Sequence, residues 1–160
     1  MGERELISPI DIPKIKRQTN QKSAPTLSIL IASKNDLSIC DNTSASVYYE
    51  LPNEFSGQLD NLVQFFQQNE KLIPWFPSIL IGENYHAATE FLTRLKPTQI
   101  VTNNTGIAHF AHKHEIPWIA GPYMNIVNSY ALKCLKDKFS CTGAFISNEI
   151  GKHQIKALKK

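Results

Sequence analysis

The sequence predicts an α/β fold: repeated βα units with a parallel sheet, resembling part of a TIM-type (β/α) barrel. One observation behind this prediction is that short apolar runs alternate with longer segments whose apolar residues recur at helical spacing. The other is the composition, because 160 residues with 42% hydrophobic and 19% charged side chains are typical of a soluble globular domain. Regular alternation of strand and helix indicates a parallel sheet.

Six runs are predicted to be strands. Each is short and apolar on both faces, as expected for a parallel sheet that helices cover. The runs are residues 26–33, 46–51, 76–81, 98–101, 117–121 and 143–147.

The intervening segments carry apolar stripes at helical spacing. The stripes are Leu59, Leu62, Val63 and Phe66; Tyr85, Ala88, Leu92 and Leu95; Ile107, Phe110, Ala111 and His114; Val127, Tyr130, Ala131 and Cys134; and Gly151, Ile155 and Leu158. Residues 34–45 lack such a stripe, so the first crossover is predicted to be short and irregular.

Residues 1–25 are predicted to be a linker or flexible arm, because prolines and polar residues precede the first apolar run. Residues 26–160 form the predicted βα-repeat domain. A closed barrel has eight units in about 250 residues. We therefore expect this domain to be a fragment of a larger barrel protein, with the rest of that polypeptide, or a second copy in a homodimer, as its partner.

Composition also bears on compartment and partners. Cys40, Cys134 and Cys141 form no CxxC pair, which argues against a disulfide scaffold, and we expect Cys134 and Cys141 in the core. The sequence shows neither a signal peptide nor an apolar span, so we expect a cytoplasmic protein with no membrane partner. A net charge of +3 does not by itself select nucleic acid.

Polar residues follow nearly every predicted strand, at the end where parallel α/β folds place their functional groups. The catalytic candidates are Glu50 and Glu149, since two neighbouring carboxylates can divide acid and base roles. The substrate-binding candidates from position alone are Asn103, Asn104, Tyr123, Asn125 and Ser147.

Helix capping is the structural alternative for several of these residues. Thr105, Asn125 and Ser147 each precede a predicted helix, where a hydroxyl or amide oxygen accepts a main-chain hydrogen bond. Glu149 lies in a first helical turn, which the helix dipole favours without any catalytic role.

Three histidines lie close together in one predicted helix. His114 falls on the apolar stripe, whereas His109 and His112 point elsewhere and have no cysteine or carboxylate at ligand spacing. We expect a solvated helix face with one buried imidazole, and no metal site in this chain.

Residues 116–158 resemble the collagenase-like peptidase family, the thirty-second of the class of unassigned catalytic type. Three short segments carry the resemblance: Asn125, Asn128 and Ser129 open one helix, Ser147 and Glu149 end a strand, and Gln154 with Ile155 lies in the next helix. The preceding strand ends in Asn104 and Gly106, as in the family. The resemblance extends over about residues 26–158.

The resemblance implies a barrel fold and adds Gly106 and Asn128 to the substrate-binding candidates. Family members are described as peptidases, while others support oxygen-independent hydroxylation with iron–sulfur clusters, and a long type hydroxylates a cytidine in 23S ribosomal RNA. The family's cysteine signature lies beyond the last helix of this chain. An iron–sulfur cluster is therefore implied only for the parent protein, and no cofactor is expected in this chain.

Three hypotheses follow from these patterns. In the first, the chain is a domain of a collagenase-like protein and forms part of a substrate pocket without a complete active site; the parent acts in RNA or cofactor hydroxylation. In the second it is a metal-dependent or acid/base protease. In the third it is a non-catalytic RNA-binding or interaction domain that uses the basic residues Lys14–Lys22 and the terminal lysines.

Overall fold

The computed structural model describes residues 24–147, 149–153 and 155, and shows an α/β fold with six parallel strands in the order β1-β2-β3-β4-β5-β6. The predicted arm at residues 1–25 lies almost wholly outside the described residues. The strands are β1 Ser28–Ile31, β2 Ser46–Glu50, β3 Leu72–Phe76, β4 Ile100–Thr102, β5 Trp118–Ala120 and β6 Cys141–Ala144. The helices are α1 Leu59–Gln68, α2 Glu83–Leu95, α3 Thr105–Lys113 and α4 Ser129–Phe139, with 3-10 helices at Lys34–Asp41 and Pro122–Met124.

The third strand departs from the sequence prediction. The sequence places it at residues 76–81, but the structure pairs Leu72–Phe76 between β2 and β4. Pro74 lies in the middle of the observed strand, where a missing amide donor is unfavourable. The apolar segment after Phe76 runs beyond the sheet instead, into the loop that precedes α2.

The first crossover is a 3-10 helix, Lys34–Asp41, as the missing apolar stripe predicts. None of its residues is buried. Right-handed crossovers place consecutive helices side by side on one face of a sequential parallel sheet. A regular helix after β1 would therefore pack beside α1. The short 3-10 helix takes its place, so the side of α1 nearest β1 has no full helix packed on it.

The main core lies between the sheet and the helices. Its centre is aromatic: Phe91 of α2 is fully buried, and its ring lies 5.8 Å from Phe55, 5.5 Å from Phe66 and 6.0 Å from Phe76. Phe55 and Phe76 stack with parallel planes. Because Phe55 and Phe66 belong to the β2–α1 unit, and Phe76 and Phe91 to the β3–α2 unit, this cluster joins two successive βα units.

The opposite face of the sheet carries a second apolar cluster, centred on Tyr48, Trp75 and Val101. The ring of Tyr48 on β2 lies 5.7 Å from that of Phe145, which directly follows β6. Four strand spacings in a flat sheet would separate these strands by about 19 Å, more than two side chains span. The sheet is therefore strongly curled, like part of a (β/α) barrel, and is open between β1 and β6 in the described part of the chain.

The last two units differ from the predicted stripes. Ala131 of α4 packs on the core as the stripe predicts, but Cys134 and Tyr130 are exposed and Val127 precedes the helix, so the stripe is wrong at those positions. Leu132 and Leu135 pack on the core in their place. Cys141 is buried, as expected. Residues 152, 153 and 155 are helical where the sequence predicts a final helix, the rest of which lies outside the described residues.

No helix within residues 24–147 or the described positions that follow has both the length and the apolar character needed to cross a bilayer.

Candidate functional site

The loops after the strands converge at the carboxyl end of the sheet, because all six strands run in the same direction. Three asparagine side chains connect these loops to one another by hydrogen bonds. They fix the loops at the carboxyl end of the sheet, where the sequence places the candidate site.

Asn84, in the first turn of α2, connects this helix to the loop after β2. Its Oδ1 accepts hydrogen bonds from the main-chain N–H of Phe55 at 2.7 Å and of Ser56 at 3.1 Å. One amide oxygen thus accepts hydrogen bonds from two N–H groups of a loop that is 28 and 29 residues distant in the sequence.

Asn103 connects three strand ends. It directly follows β4 and is only 7% exposed. Its Nδ2 donates to the carbonyl of Phe76 at 3.4 Å, and its Oδ1 accepts from the N–H of Tyr123 at 3.0 Å. A Cβ on Gly121 would lie 2.1 Å from that oxygen, so the loop after β5 approaches Asn103 closely enough to require glycine.

Asn104 has two structural roles. Its Oδ1 accepts from the N–H of Ile107 at 3.0 Å and caps α3, while its Nδ2 donates to the carbonyl of Ser78 at 2.9 Å in the loop after β3. Asn104 therefore fixes the start of α3 against the neighbouring loop.

The caps differ from those the sequence predicts. Asn104, not Thr105, caps α3, and Asn128, not Asn125, caps α4 by accepting from the N–H of Ala131 at 2.9 Å. Asn125 instead has a left-handed backbone with φ 54° at the end of a 3-10 helix. Left-handed positions favour asparagine among non-glycine residues.

Ser147 and Gly106, two other substrate-binding candidates, also have structural roles. The Ser147 hydroxyl accepts from the N–H of Glu149 at 3.3 Å, as a capping serine does. Gly106 faces the ring of Tyr85, since a Cβ there would lie 2.9 Å from that ring. Tyr123 differs from both because its side chain is 75% exposed at the rim.

The two catalytic candidates lie at different places on this end. Glu50 is the last residue of β2 and is exposed, on the same sheet face as Trp75 in the pairing register. Glu149 is exposed beyond β6. The structure gives neither carboxylate a hydrogen-bonding side-chain partner among the described residues, so each is available to a ligand.

Glu50 lines a cavity of about 660 Å³ that the sequence did not predict. The cavity lies at the carboxyl ends of β1, β2 and β3 and along the flank of α1 that the short first crossover leaves uncovered. Its lining residues are Ala32, Lys34, Tyr49, Glu50, Leu51, Pro52, Asn53, Gln58, Asn61, Leu62, Gln64, Phe65, Gln68 and Pro77. Binding cavities for small molecules are commonly about 300–1,000 Å³.

The lining combines an apolar floor with free polar groups. The buried residues Tyr49, Leu62 and Phe65 supply the floor, and the carboxamides of Asn61, Gln64 and Gln68 supply the rim. Those three carboxamides make no hydrogen bond within the described part of the chain. Each therefore offers a donor and an acceptor to a ligand.

Two opposite charges border the cavity. The ammonium of Lys34 lies 5.0 Å from the ring centroid of Phe65, a cation–π contact that positions the charge over the floor. Glu50 lines the cavity at the end of β2 and is negatively charged, with its side chain on the opposite sheet face from Tyr49. Burial raises the pKa of Tyr49, so its hydroxyl in the floor stays protonated at physiological pH.

The spacing of the amides on α1 was a usable signal. Asn61, Gln64 and Gln68 recur at i, i+3 and i+7, which places them along one helix face. The apolar stripe of α1 predicts the helix, but the sequence does not show which neighbour the polar stripe meets.

The buried histidine is not the one that the sequence predicts. His114 ends α3 and is exposed, with its ring stacked on Phe110 at 4.1 Å, so the expectation that it is the buried imidazole is wrong. His112 is the partly buried one, and its Nδ1 lacks a partner among the described residues. Its ring contacts Phe139 of α4.

No group of three or more His, Cys, Asp or Glu residues is placed to hold a metal ion in the residues that the structure covers. Cys40, Cys134 and Cys141 lie on three separate elements. Burial raises the pKa of the Cys141 thiol, which keeps it neutral and a weak nucleophile. The basic residues Lys14–Lys22 and the terminal lysines, on which the RNA hypothesis depends, lie outside the described residues.

Replacing Asn84 by alanine should lower the free energy of unfolding by about 2 kcal/mol, because a part-buried N–H of Phe55 loses its acceptor. Asn84→Asp is the matched control, since its carboxylate keeps both acceptor positions and suits the first turn of a helix. Urea denaturation measures both. Equal losses for the two variants would show that the hydrogen bonds do not hold this loop.

No family model matches this chain, and no curated protein or solved structure is significantly similar to it.

Proposed function

We propose that this chain is a substrate-binding domain of a larger barrel enzyme of the collagenase-like kind, and that a small polar substrate occupies the cavity beside Glu50. The observation that carries the proposal is the convergence of unpaired polar side chains around an apolar floor at the carboxyl end of parallel strands. In this fold, that end is where ligands bind.

The chemistry of the lining defines the substrate class. Unpaired carboxamides are complementary to hydroxyl, amide or nucleobase edges, each of which combines donors and acceptors. A single lysine opposed by Glu50 provides no net positive charge for a polyanion. The substrate is therefore uncharged or singly charged and rich in hydrogen-bonding groups.

The same geometry suggests a role for each group of residues around the cavity. The carboxamides of α1 orient the substrate, and Glu50 supplies a negative charge or accepts a proton at the cavity edge. Asn84, Asn103 and Asn104 position the loops around it and do not touch the substrate. The reacting groups come from the rest of the parent polypeptide, in a hydrolytic or hydroxylation reaction.

The test is a titration of the ¹⁵N-labelled chain followed by NMR, with three uncharged probes: cytidine, maltotriose and N-acetylalanine methylamide. At least one probe is expected to shift the amide resonances of Leu51, Asn53 and residues 61–68. The double variant Gln64→Leu with Gln68→Leu, and separately Glu50→Gln, should weaken that response.

Gln67→Leu is the matched control, because Gln67 is an exposed residue of the same helix that does not line the cavity. Its titration should equal that of the unaltered chain. If all three probes leave the cavity amides unshifted, or if Gln67→Leu weakens the response as much as the double variant does, the cavity is not the substrate site.

A further inference from the structure

The loop after β3 has an unusual surface. Ile79 is 70% exposed and Ile81 is 76% exposed, whereas Leu80 between them is 5% exposed and belongs to the core. Exposure that alternates with a period of two is typical of extended chain. Two large apolar side chains therefore stand side by side in solvent, on the face opposite their anchor.

The main chain of this segment is unpaired. Within the described residues, no hydrogen bond involves the N–H or C=O groups of Ile79, Leu80 or Ile81. The segment also lacks charged side chains, which proteins commonly use to protect unpaired strand edges.

The segment is held in place at both ends. The carbonyl of Ser78 accepts from Asn104 Nδ2 at 2.9 Å, and the carbonyl of Gly82 accepts from the amides of Tyr85 and His86 at the start of α2. With Leu80 buried between these anchors, little conformational entropy remains to be lost when a partner binds.

We propose that residues 79–81 form a docking edge for an extended peptide segment of another protein, which adds to it as a β-strand. The repeating donor and acceptor of a polypeptide main chain is the chemistry that matches consecutive unpaired N–H and C=O groups. Alternate apolar side chains of the partner would pack on Ile79 and Ile81. None of residues 79–81 lines the cavity, so the docking edge does not depend on the cavity's being a substrate site.

The experiment uses a fluorescein-labelled heptapeptide of sequence KTVTVTK with blocked ends, and measures fluorescence anisotropy with the full chain. The same peptide N-methylated at its valines is the control, because it keeps the apolar side chains but lacks the main-chain donors. The unmethylated peptide is expected to bind, and the methylated one to bind at least about tenfold more weakly.

Ile81→Lys should weaken peptide binding by about tenfold, since it removes an apolar contact and charges the edge. Tyr130→Lys is the matched variant, because Tyr130 is a half-exposed aromatic residue on a different element, α4. It should bind as the unaltered chain does. Thermal unfolding of both variants verifies that they fold.

Three results would overturn the proposal: equal binding of both peptides, equal binding by Ile81→Lys and the unaltered chain, or no binding at all. Light scattering measures the oligomeric state and so tests whether a second copy of this chain occupies the docking edge. If the unaltered chain is dimeric and fails to bind peptide while Ile81→Lys is monomeric, the edge joins two copies and the peptide proposal is wrong.

Discussion

Replacing Phe91 by alanine is expected to lower the free energy of unfolding by about 4 kcal/mol. Its fully buried ring contacts Phe55, Phe66 and Phe76, so truncation removes apolar burial and leaves a cavity where two successive βα units meet. Small domains have total stabilities of about 5–15 kcal/mol. Urea denaturation followed by circular dichroism measures the loss.

Phe139→Ala provides the comparison, because Phe139 is 38% exposed at the end of α4 and buries much less surface. We expect a loss of about 1 kcal/mol or less there. Similar losses at the two positions would mean that the aromatic cluster does not organise the core as described.

Gly121→Ala is expected to cost about 3 kcal/mol. The added Cβ would lie 2.1 Å from Asn103 Oδ1 and 2.6 Å from its Cγ, and Asn103 is buried and bonded on both sides. The side chain must move, so the variant loses the hydrogen bonds to Phe76 and Tyr123 and gains strain. Denaturant unfolding gives the free energy.

A double-mutant cycle identifies the clash as the cause. Asn103→Ala removes the atoms that the new methyl group meets, so the double variant should lose less stability than the sum of the two single variants. Gly143→Ala is the control glycine, because a Cβ there meets only Ile119 at ordinary van der Waals distance. Additive losses at Asn103 and Gly121 would contradict the close approach.

Much of the fold was predictable because the hydrophobic periodicity directly reflects which faces are buried. The stripe of Leu62, Val63 and Phe66 placed α1 correctly, and the missing stripe after β1 correctly indicated a short crossover. The third strand could not be placed from the same signal. Ile79, Leu80 and Ile81 resemble a buried strand more closely than a run that contains Pro74, and only tertiary pairing shows which one joins the sheet.

The sequence predicts at which end of the sheet the polar residues gather, but not what their side chains bind. The parallel strands place the polar residues at one end of the sheet. The side-chain amides of Asn103, Asn104 and Asn128, however, form hydrogen bonds with the protein's own main chain. Sequence position cannot separate a capping asparagine from a ligand-binding one, since both follow a strand. The cavity escaped prediction because it depends on what the short first crossover leaves uncovered on α1.

A crystal structure of the full chain, soaked with a library of small polar fragments, tests most directly whether the cavity beside Glu50 binds the substrate. If the cavity is the substrate site, fragments will cluster in it at the carboxyl ends of β1–β3, with hydrogen bonds to Glu50 and to the carboxamides of Gln64 and Gln68. Fragments that bind at the amino ends of the strands or on the helices, with none in this cavity, would contradict the proposal.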